Sequence, residues 1–205
     1  MSQPSPAADP GRPRRGRPRN PETDAAILAA ARHILATRGF DALSIEAVAQ
    51  ATGISRVSIY RRWASKAHLT SEIANGGEGR LPDVIAEQGV EAEIRALVRQ
   101  LYDRYAEPAI GAAAIGMIVS YQREPSLREE LHSPLESDAR AQLRSIVARG
   151  KALDLVREEV DADALFDIAV GTTLFRLLVS TEAPGTSTAD AIADIVLKGV
   201  AKAPA

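Results

Sequence analysis

Beyond residue 20, apolar side chains recur at the three- and four-residue spacing of α-helices, and prolines and glycines interrupt this pattern at intervals. Runs of β-branched residues with the alternation typical of strands are missing. The first helix fits residues Pro21 to Gly39. Three short helices follow, each after a serine that can act as its N-cap: Ser44, Ser55 and Ser65. We expect them to end near Gly53, Trp63 and Asn75. Later helices fit residues 91–106, 109–123, 134–150, 161–180 and 188–201. The sequence therefore predicts an all-α fold.

The first 20 residues differ from the rest of the chain. They contain five prolines and no Leu, Ile, Val or Phe, so they lack the apolar run of a secretory signal. The longest uncharged stretch, Pro108 to Gln122, is shorter than the roughly 20 residues that a membrane-spanning helix needs. We therefore expect a cytoplasmic protein that has no membrane partner and begins with a disordered arm.

Charge is distributed unevenly along the chain. The whole chain carries 25 basic and 27 acidic side chains, a net charge of −2, which taken alone speaks against a nucleic-acid partner. Divided at the glycine-rich break after Asn75, residues 1–75 carry 11 basic and 6 acidic side chains, and residues 76–205 carry 14 and 21. The net charges are thus +5 and −7, and +4 of the first lies in residues 1–20. We expect the two parts to face different partners.

The segment Ser44–Trp63 fits a helix-turn-helix unit. Ala49 is small enough for two helices to cross closely, Gly53 tolerates the positive φ of a tight turn, and Ile59 can close the core from the second helix. From the spacing alone, the alternative is two ordinary surface helices joined by a glycine turn.

The polar face of the second helix favours the helix-turn-helix interpretation. No acidic residue lies between Glu46 and Glu72, and this stretch is rich in arginine and hydroxyl groups. Arginine can form paired hydrogen bonds with guanine in the major groove, while hydroxyl groups and a lysine at a helix N-terminus can hold phosphates. The residues concerned are Arg56, Ser58, Tyr60, Arg61, Arg62 and Lys66.

The stretch Ile45–Leu69 resembles the DNA-binding domain of the TetR family of bacterial repressors, and the match extends back to Pro21. The residues that carry it are Ile54-Ser55, Ser58-Ile59-Tyr60, Trp63 and Ser65-Lys66. A weaker C-terminal resemblance to one branch of the family rests on Arg61-Arg62-Trp63, Arg123-Glu124-Pro125 and Phe175–Val179. The family implies an all-α homodimer, with an N-terminal three-helix helix-turn-helix domain and a C-terminal helical ligand-binding and dimerisation domain.

By position, the resemblance implies roles for individual residues. Ser44 and Ile45 would approach the DNA backbone, and Trp63 would belong to the core. Base edges would be faced by Arg56, Val57 and Ser58. Phosphates or bases would be approached by Tyr60, Arg61, Arg62 and Lys66. Val57 replaces a glycine common in the family, and its branched side chain can contact a thymine methyl group.

The arm contains an Arg-Gly-Arg-Pro core within Pro13–Arg19, which resembles an AT-hook. Because the minor groove over A·T pairs is narrow and electronegative, we expect Arg15 and Arg17 to lie in it. The alternative is a disordered tail that only raises non-specific affinity. The expected organisation is a disordered basic arm (1–20), a helix-turn-helix domain including a linker helix (21–75) and a helical regulatory and dimerisation domain (76–205).

The acidic half contains candidates for a ligand pocket and for a dimer interface. The uncharged helix near residues 108–122 is rich in Ala and Gly, so it leaves space that neighbouring helices fill or a ligand occupies. Candidate lining residues are Tyr102, Tyr105, Met117, Tyr121, Phe166 and Phe175, for each of which plain core packing is the alternative. The helix over 161–180 is apolar nearly all round, so we expect it to pair with a second copy, beside the helix over 188–201.

The composition argues against catalysis and metal binding. There is no cysteine, the three histidines lack metal-ligand spacing, and no glycine-rich phosphate loop or nucleophile pattern occurs. We therefore expect no cofactor and no enzymatic activity. The function predicted is a ligand-responsive repressor that binds a near-palindromic operator as a homodimer and is released by a small apolar or amphipathic effector. The competing hypothesis is a non-specific architectural DNA-binding protein.

Overall fold

The computed structural model describes residues 21–76, 89–131, 133–180 and 188–201. These residues form α1 (Pro21–Ala42), α2 (Ile45–Thr52), α3 (Arg56–Tyr60), α4 (Lys66–Asn75), α5 (Val90–Ala106), α6 (Pro108–Arg123), α7 (Leu127–Glu130), α8 (Pro134–Ala152), α9 (Ala162–Leu178) and α10 (Thr188–Val200). No strand occurs in these ranges, where the extended backbone pairs once, between Val156 and Ala201. The all-α prediction is confirmed. The arm and the segment after Gly76 lie outside the described residues.

The three serine N-caps expected from the sequence are confirmed. The Oγ atoms of Ser44, Ser55 and Ser65 each accept a hydrogen bond from the backbone N–H three residues later, at 3.0, 3.3 and 3.5 Å. Each bond satisfies a donor that the first turn of a helix would otherwise leave without a partner. These local bonds explain why the helix starts could be identified from the sequence.

Some helix boundaries differ from the expectation. Gly39 has a φ of 76°, and helical residues resume after it up to Ala42. The third helix ends at Tyr60, because the chain turns there and directs Trp63 into the core. The short helix α7 was not predicted, since four residues are too few to show a periodic pattern.

Helices α1 to α4, called here the N-terminal unit, share one apolar core. Helix α6 completes this core with two of its alanines, and Gly116 lies so close to the Phe40 ring that a Cβ atom would overlap it. The small residues of α6 therefore let it pack tightly against α1. The buried members of this core are Ile27, Ala31, Ile34, Leu35, Leu43, Ile45, Val48, Ile59, Trp63, Leu69, Ile73, Ala109 and Ala113.

A second apolar core lies among α5, α8, α9 and α10. Exposed ion pairs join α5 to α10, with Arg95 2.7 Å from Asp194 and Arg99 2.6 Å from Asp190. Inside the core, Glu93 is buried and is paired with Arg149 of α8. Helix α6 thus lies between the two cores and contacts both the N-terminal unit and the C-terminal helices.

Candidate nucleic-acid interface and adjoining cavity

Helices α2 and α3 meet in a tight turn at Gly53. This glycine has a φ of 70°, in the left-handed region, and its N–H donates to the carbonyl of Ala49 at 2.9 Å. Ile59 is completely buried beneath the turn. Ala49, Gly53 and Ile59 therefore have the positions that a helix-turn-helix unit requires. This arrangement excludes the alternative of two ordinary surface helices.

The outer face of α3 presents apolar and basic side chains to solvent. Val57 is 77% exposed and Tyr60 is 48% exposed, and Arg56 and Arg61 are exposed as well. Arg56 lies 3.3 Å from the carboxylate of Glu46 on α2, an exposed pair that can open at little cost. Ser58 is half-buried, and its Oγ is 2.9 Å from that of Ser55. This face of α3 is therefore available to enter a groove on a partner.

Two of the expected DNA contacts have other roles in this structure. The side chain of Ile45 is buried in the core of the N-terminal unit, so only its backbone can approach DNA. Arg62 is 16% exposed, forms an ion pair with Asp24 of α1 and donates to the carbonyl of Ser58 at 3.2 Å. Helix α1 thus holds the guanidinium of Arg62 in this structure, and the approach of Arg62 to phosphates or bases stays a prediction.

Ser44 and Lys66 lie at the N-termini of α2 and α4. Ser44 is committed to capping, although its backbone remains at the helix end. The amino group of Lys66 lies 3.7 Å from the centroid of the Phe40 ring, a cation–π contact. Partial burial lowers the pKa of Lys66, and the nearby Asp41 opposes that shift. A phosphate contact by Lys66 stays a prediction.

Trp63 is a core residue, as expected. Its indole ring is buried, and its Nε1 donates to the Oε2 of Glu72 on α4 at 2.5 Å. This contact sets α4 against the end of α3. Arg15 and Arg17 lie outside the described residues, so their proposed minor-groove contacts stay predictions.

A cavity of about 170 Å³ lies where the last turn of α4 meets α5, α6, α8 and α9. Four of the six candidate pocket residues line it together: Tyr105, Met117, Tyr121 and Phe166. Tyr102 and Phe175 do not. Tyr102 packs in the C-terminal core, and Phe175 follows the cavity-lining Leu174 by one residue, so the helical rotation of 100° turns it outward.

Several lining residues were not expected from the sequence. They come from the end of α4, the start of α8 and the inner faces of α5, α6 and α9: Ala74, Asn75, Leu101, Ala114, Ile118, Ser133, Leu135, Glu136, Ala139, Val170 and Leu174. The spacing of Phe166, Val170 and Leu174 at four residues would have placed the last two on the same face of α9. The other lining residues come from several helices, and no local sequence pattern reveals how those helices pack together.

The tyrosine hydroxyls of the cavity stay protonated near neutral pH. Burial raises the pKa of Tyr105 and of Tyr121, and the carboxylate of Glu136 raises both further. Tyr121 donates a long hydrogen bond of 3.4 Å to the carbonyl of Leu131. The cavity is thus mostly apolar, with phenol groups and a single carboxylate as its strongest polar features.

Within the described residues, four side-chain bonds join the N-terminal unit to the segments that surround the cavity. Two involve α1 or the start of α4: Arg32 to Glu107 at 2.9 Å and His68 to Glu130 at 2.8 Å. Two hold the end of α4: Arg104 donates to the carbonyl of Ala74 at 2.5 Å, and Ser133 donates to Asn75 at 2.6 Å. The last turn of α4 therefore both lines the cavity and is bonded to Arg104 and Ser133.

The described residues offer no support for a metal centre or a membrane span. Within them, no three His, Cys, Asp or Glu side chains come together as metal ligands. None of their helices is long and apolar enough to cross a membrane.

Comparison with known proteins matches both halves of the chain. The family model "Bacterial regulatory proteins, tetR family" matches residues 27–73, and the model "Tetracyclin repressor-like, C-terminal domain" matches residues 85–196. The HTH-type transcriptional regulator YdeS of Bacillus subtilis is 27% identical over 168 residues, which cover 82% of this chain and 84% of that protein. The DNA-binding transcriptional repressor TetR of Mycobacteroides abscessus is 28% identical over 158 residues, 75% of this chain and 80% of that protein.

A solved structure shares the fold over nearly the whole chain. It is a transcriptional regulator of Saccharomonospora viridis in complex with choline, with a TM-score of 0.69 at 16% identity, covering 90% of this chain and 100% of that one. Together with the exposed face of α3 and the matched family models, these comparisons give one assignment. The chain belongs to the TetR family of bacterial transcriptional regulators, which bind DNA through a helix-turn-helix unit and are not enzymes.

Proposed function

We propose that this regulator is a ligand-responsive repressor that binds a near-palindromic operator as a homodimer and leaves it when a small molecule occupies the cavity. The observation that carries the proposal is the position of the cavity, whose wall includes the last turn of α4, next to the DNA-binding unit. Repression rather than activation is supported by the relative from Mycobacteroides abscessus, which is a repressor.

The DNA contacts in this proposal come from α3 and its surroundings. Val57 and Tyr60, with Arg56 and Arg61, enter the major groove, which is about 12 Å wide and admits a helix. Ser44 and Lys66 approach phosphates from helix N-termini, where the helix dipole favours an anion. Arg15 and Arg17 of the arm add contacts in the adjacent minor groove.

The dimer in this proposal is formed by α9 and α10. Apolar side chains that protrude from these helices lie on the outside of one protomer: Ile168, Phe175, Val179 and Ile195. Ile168 and Phe175 of α9 and Val179, the residue directly after that helix, recur at seven- and four-residue intervals, so they form one stripe. Two helices from each protomer would bury the stripes in a four-helix interface. The proposed boundary between the DNA-binding and regulatory domains lies after Asn75.

Effector release in this proposal acts through α4. In this structure, Arg104 and Ser133 hold the end of this helix. A ligand that pushes on Ala74 or Asn75 changes the angle of α4 and, through Trp63, the position of α3. In a dimer, recognition helices must lie roughly 34–36 Å apart to enter successive major grooves, so a small rotation weakens binding to DNA. A typical coupling free energy is about 1–3 kcal/mol. As a regulator of bacterial DNA, the protein would act in the cytoplasm.

Footprinting on the region upstream of the protein's own gene tests the proposal. A repressor dimer protects a discrete near-palindrome, and Val57→Ala with Tyr60→Ala abolishes the protection while the purified variant keeps its helical circular dichroism. Thr37→Ala, an exposed change on α1, is the matched control and leaves the footprint intact. Diffuse coverage without a protected site would favour the architectural hypothesis and contradict operator binding.

A further inference from the structure

We propose that the effector is a small organic cation, an amine with an apolar body no larger than a single ring with a short side chain. This assignment rests on the proposed function, in which the cavity beside α4 holds the effector. The evidence is the volume of the cavity, the aromatic rings around it and the charge at its rim.

Size limits the effector first. The cavity measures about 170 Å³. An apolar protein cavity of about 150 Å³ holds a benzene molecule, so this one accepts a monocyclic molecule or a compact branched one. Polycyclic molecules and long acyl chains exceed it in the conformation described.

The aromatic residues of the cavity suit a cation. Tyr105, Tyr121 and Phe166 all line it, although aromatic residues are scarce in this chain, at 4% of the sequence. The electron-rich faces of aromatic rings attract ammonium groups, most strongly where water is excluded. The ring of Phe166 already holds one cation, since the guanidinium carbon of Arg140 lies 4.3 Å from its centroid.

The charge at the rim has the matching sign. Glu136 lies on the cavity wall and pairs with Arg140 at 2.9 Å, but Arg140 also pairs with Asp167 at 2.5 Å, while Arg144 pairs with Asp163 at 2.8 Å. Among the described residues that line the cavity, Glu136 is the one charged side chain, so the wall itself carries a single negative charge. Besides burial, the carboxylate of Glu136 raises the pKa of both Tyr105 and Tyr121, opposed by Arg104 and Arg140 at the first and by Arg128 at the second.

The hydrogen-bonding groups of the cavity favour a donor at the charged end of the ligand. Asn75 and Ser133 are bonded to one another at 2.6 Å, and Ser133 also accepts from the N–H of Glu136 at 3.1 Å. The Glu136 carboxylate remains half-exposed and can accept from an ammonium group while it keeps its bond to Arg140. An anionic ligand would meet this carboxylate instead and be repelled.

Isothermal titration calorimetry on the full chain, with three probes that share one ring, tests the inference. Benzylammonium, benzyl alcohol and benzoate carry a cationic, a neutral and an anionic group. We expect benzylammonium to bind at least about tenfold more tightly than benzyl alcohol, because a desolvated cation–π contact and a nearby carboxylate both act on the charge alone. Benzoate should bind most weakly.

Two sets of variants separate the charge from the fold. Glu136→Gln should weaken benzylammonium about tenfold and change benzyl alcohol less than about twofold, whereas Glu129→Gln, an exposed glutamate of α7, should change neither. Tyr105→Phe keeps the ring and should retain cation binding, whereas Tyr105→Leu should lose it. Unchanged thermal unfolding of each variant confirms that the fold is intact.

The outcomes distinguish this inference from the proposed function. If benzyl alcohol or benzoate binds as tightly as benzylammonium, or if Glu136→Gln has no effect, the cation assignment is overturned and the cavity remains an effector site of another chemistry. If none of the three probes binds, the assignment is likewise overturned. The footprint on the upstream region then reports separately whether the protein is an operator-binding repressor.

Discussion

Replacing Gly116 by valine should destabilise the protein, because this position lies against the Phe40 ring. Three ring atoms of Phe40 would overlap with an added Cβ. The ring cannot retreat freely, since Lys66 lies over it at 3.7 Å. Overpacking of this kind costs about 1–3 kcal/mol. The better helix propensity of valine offsets only roughly 0.4 kcal/mol. The expected net loss in the free energy of unfolding is therefore about 0.6–2.6 kcal/mol.

The assay is urea unfolding at fixed protein concentration, followed by the fluorescence of Trp63 and by circular dichroism. Trp63 is the only tryptophan of the sequence and is buried in the core that contacts Phe40. With an m-value of about 2 kcal/mol/M, the expected loss lowers the midpoint by roughly 0.3–1.3 M. Fixed concentration matters because the stability of a dimer depends on it.

A double-mutant cycle with Phe40→Ala provides the control. Once the ring is removed, the valine side chain of Gly116→Val has space to occupy, so the same substitution should be neutral or stabilising. The coupling between the two positions should then exceed about 1 kcal/mol, well above the roughly 0.5 kcal/mol within which independent sites add. Equal costs of Gly116→Val in both backgrounds would refute the argument from overlap.

Three further predictions follow from the exposed stripe, the arm and a helix cap. Phe175→Asp should convert the dimer to monomer in sedimentation velocity, because it places like charges across the proposed interface, whereas Leu153→Asp, equally exposed but outside the stripe, should remain dimeric. Arg15→Ala with Arg17→Ala should reduce the log–log salt slope of operator binding by about 1.8, and an unchanged slope would mean that the arm does not contact DNA. Backbone hydrogen bonds from Ala164 and Asp163 lower the pKa of Asp161 below its ordinary value of 3.8. The cap is therefore fully stabilising above that value and is lost as pH falls through the lowered pKa. The difference in Tm between the parent and Asp161→Ala should vanish in strong acid, and a constant difference would contradict the cap.

Much of the DNA-binding unit could be predicted because its determinants are local. Serine caps act over three residues, and the turn at Gly53 depends on the backbone freedom of a single glycine. The role of Arg62 could not be predicted in this way. Its partner Asp24 lies on another helix, and the pairing depends on how α1 crosses α3.

The cavity shows the same division. Sequence reasoning selected aromatic residues near the uncharged helix, and Tyr105, Met117, Tyr121 and Phe166 do line one space. It could not separate them from Phe175, because the rotation of α9 against its neighbours decides which face turns inward. Glu136, on which the choice of ligand charge depends, could be assigned to the cavity only once the position of α8 was known.

Local patterns in the amino-acid sequence were enough to predict the all-α class, the helix starts, the helix-turn-helix turn and the family of the protein. These features depend on hydrogen bonds and spacings within a few residues, so they survive without knowledge of the packing. The packing of the helices revealed which side chains share a cavity, which arginine is held by α1 and which apolar stripe remains uncovered. Those outcomes depend on contacts between helices far apart in the chain, whose crossing angles and rotations the close packing of both cores selects.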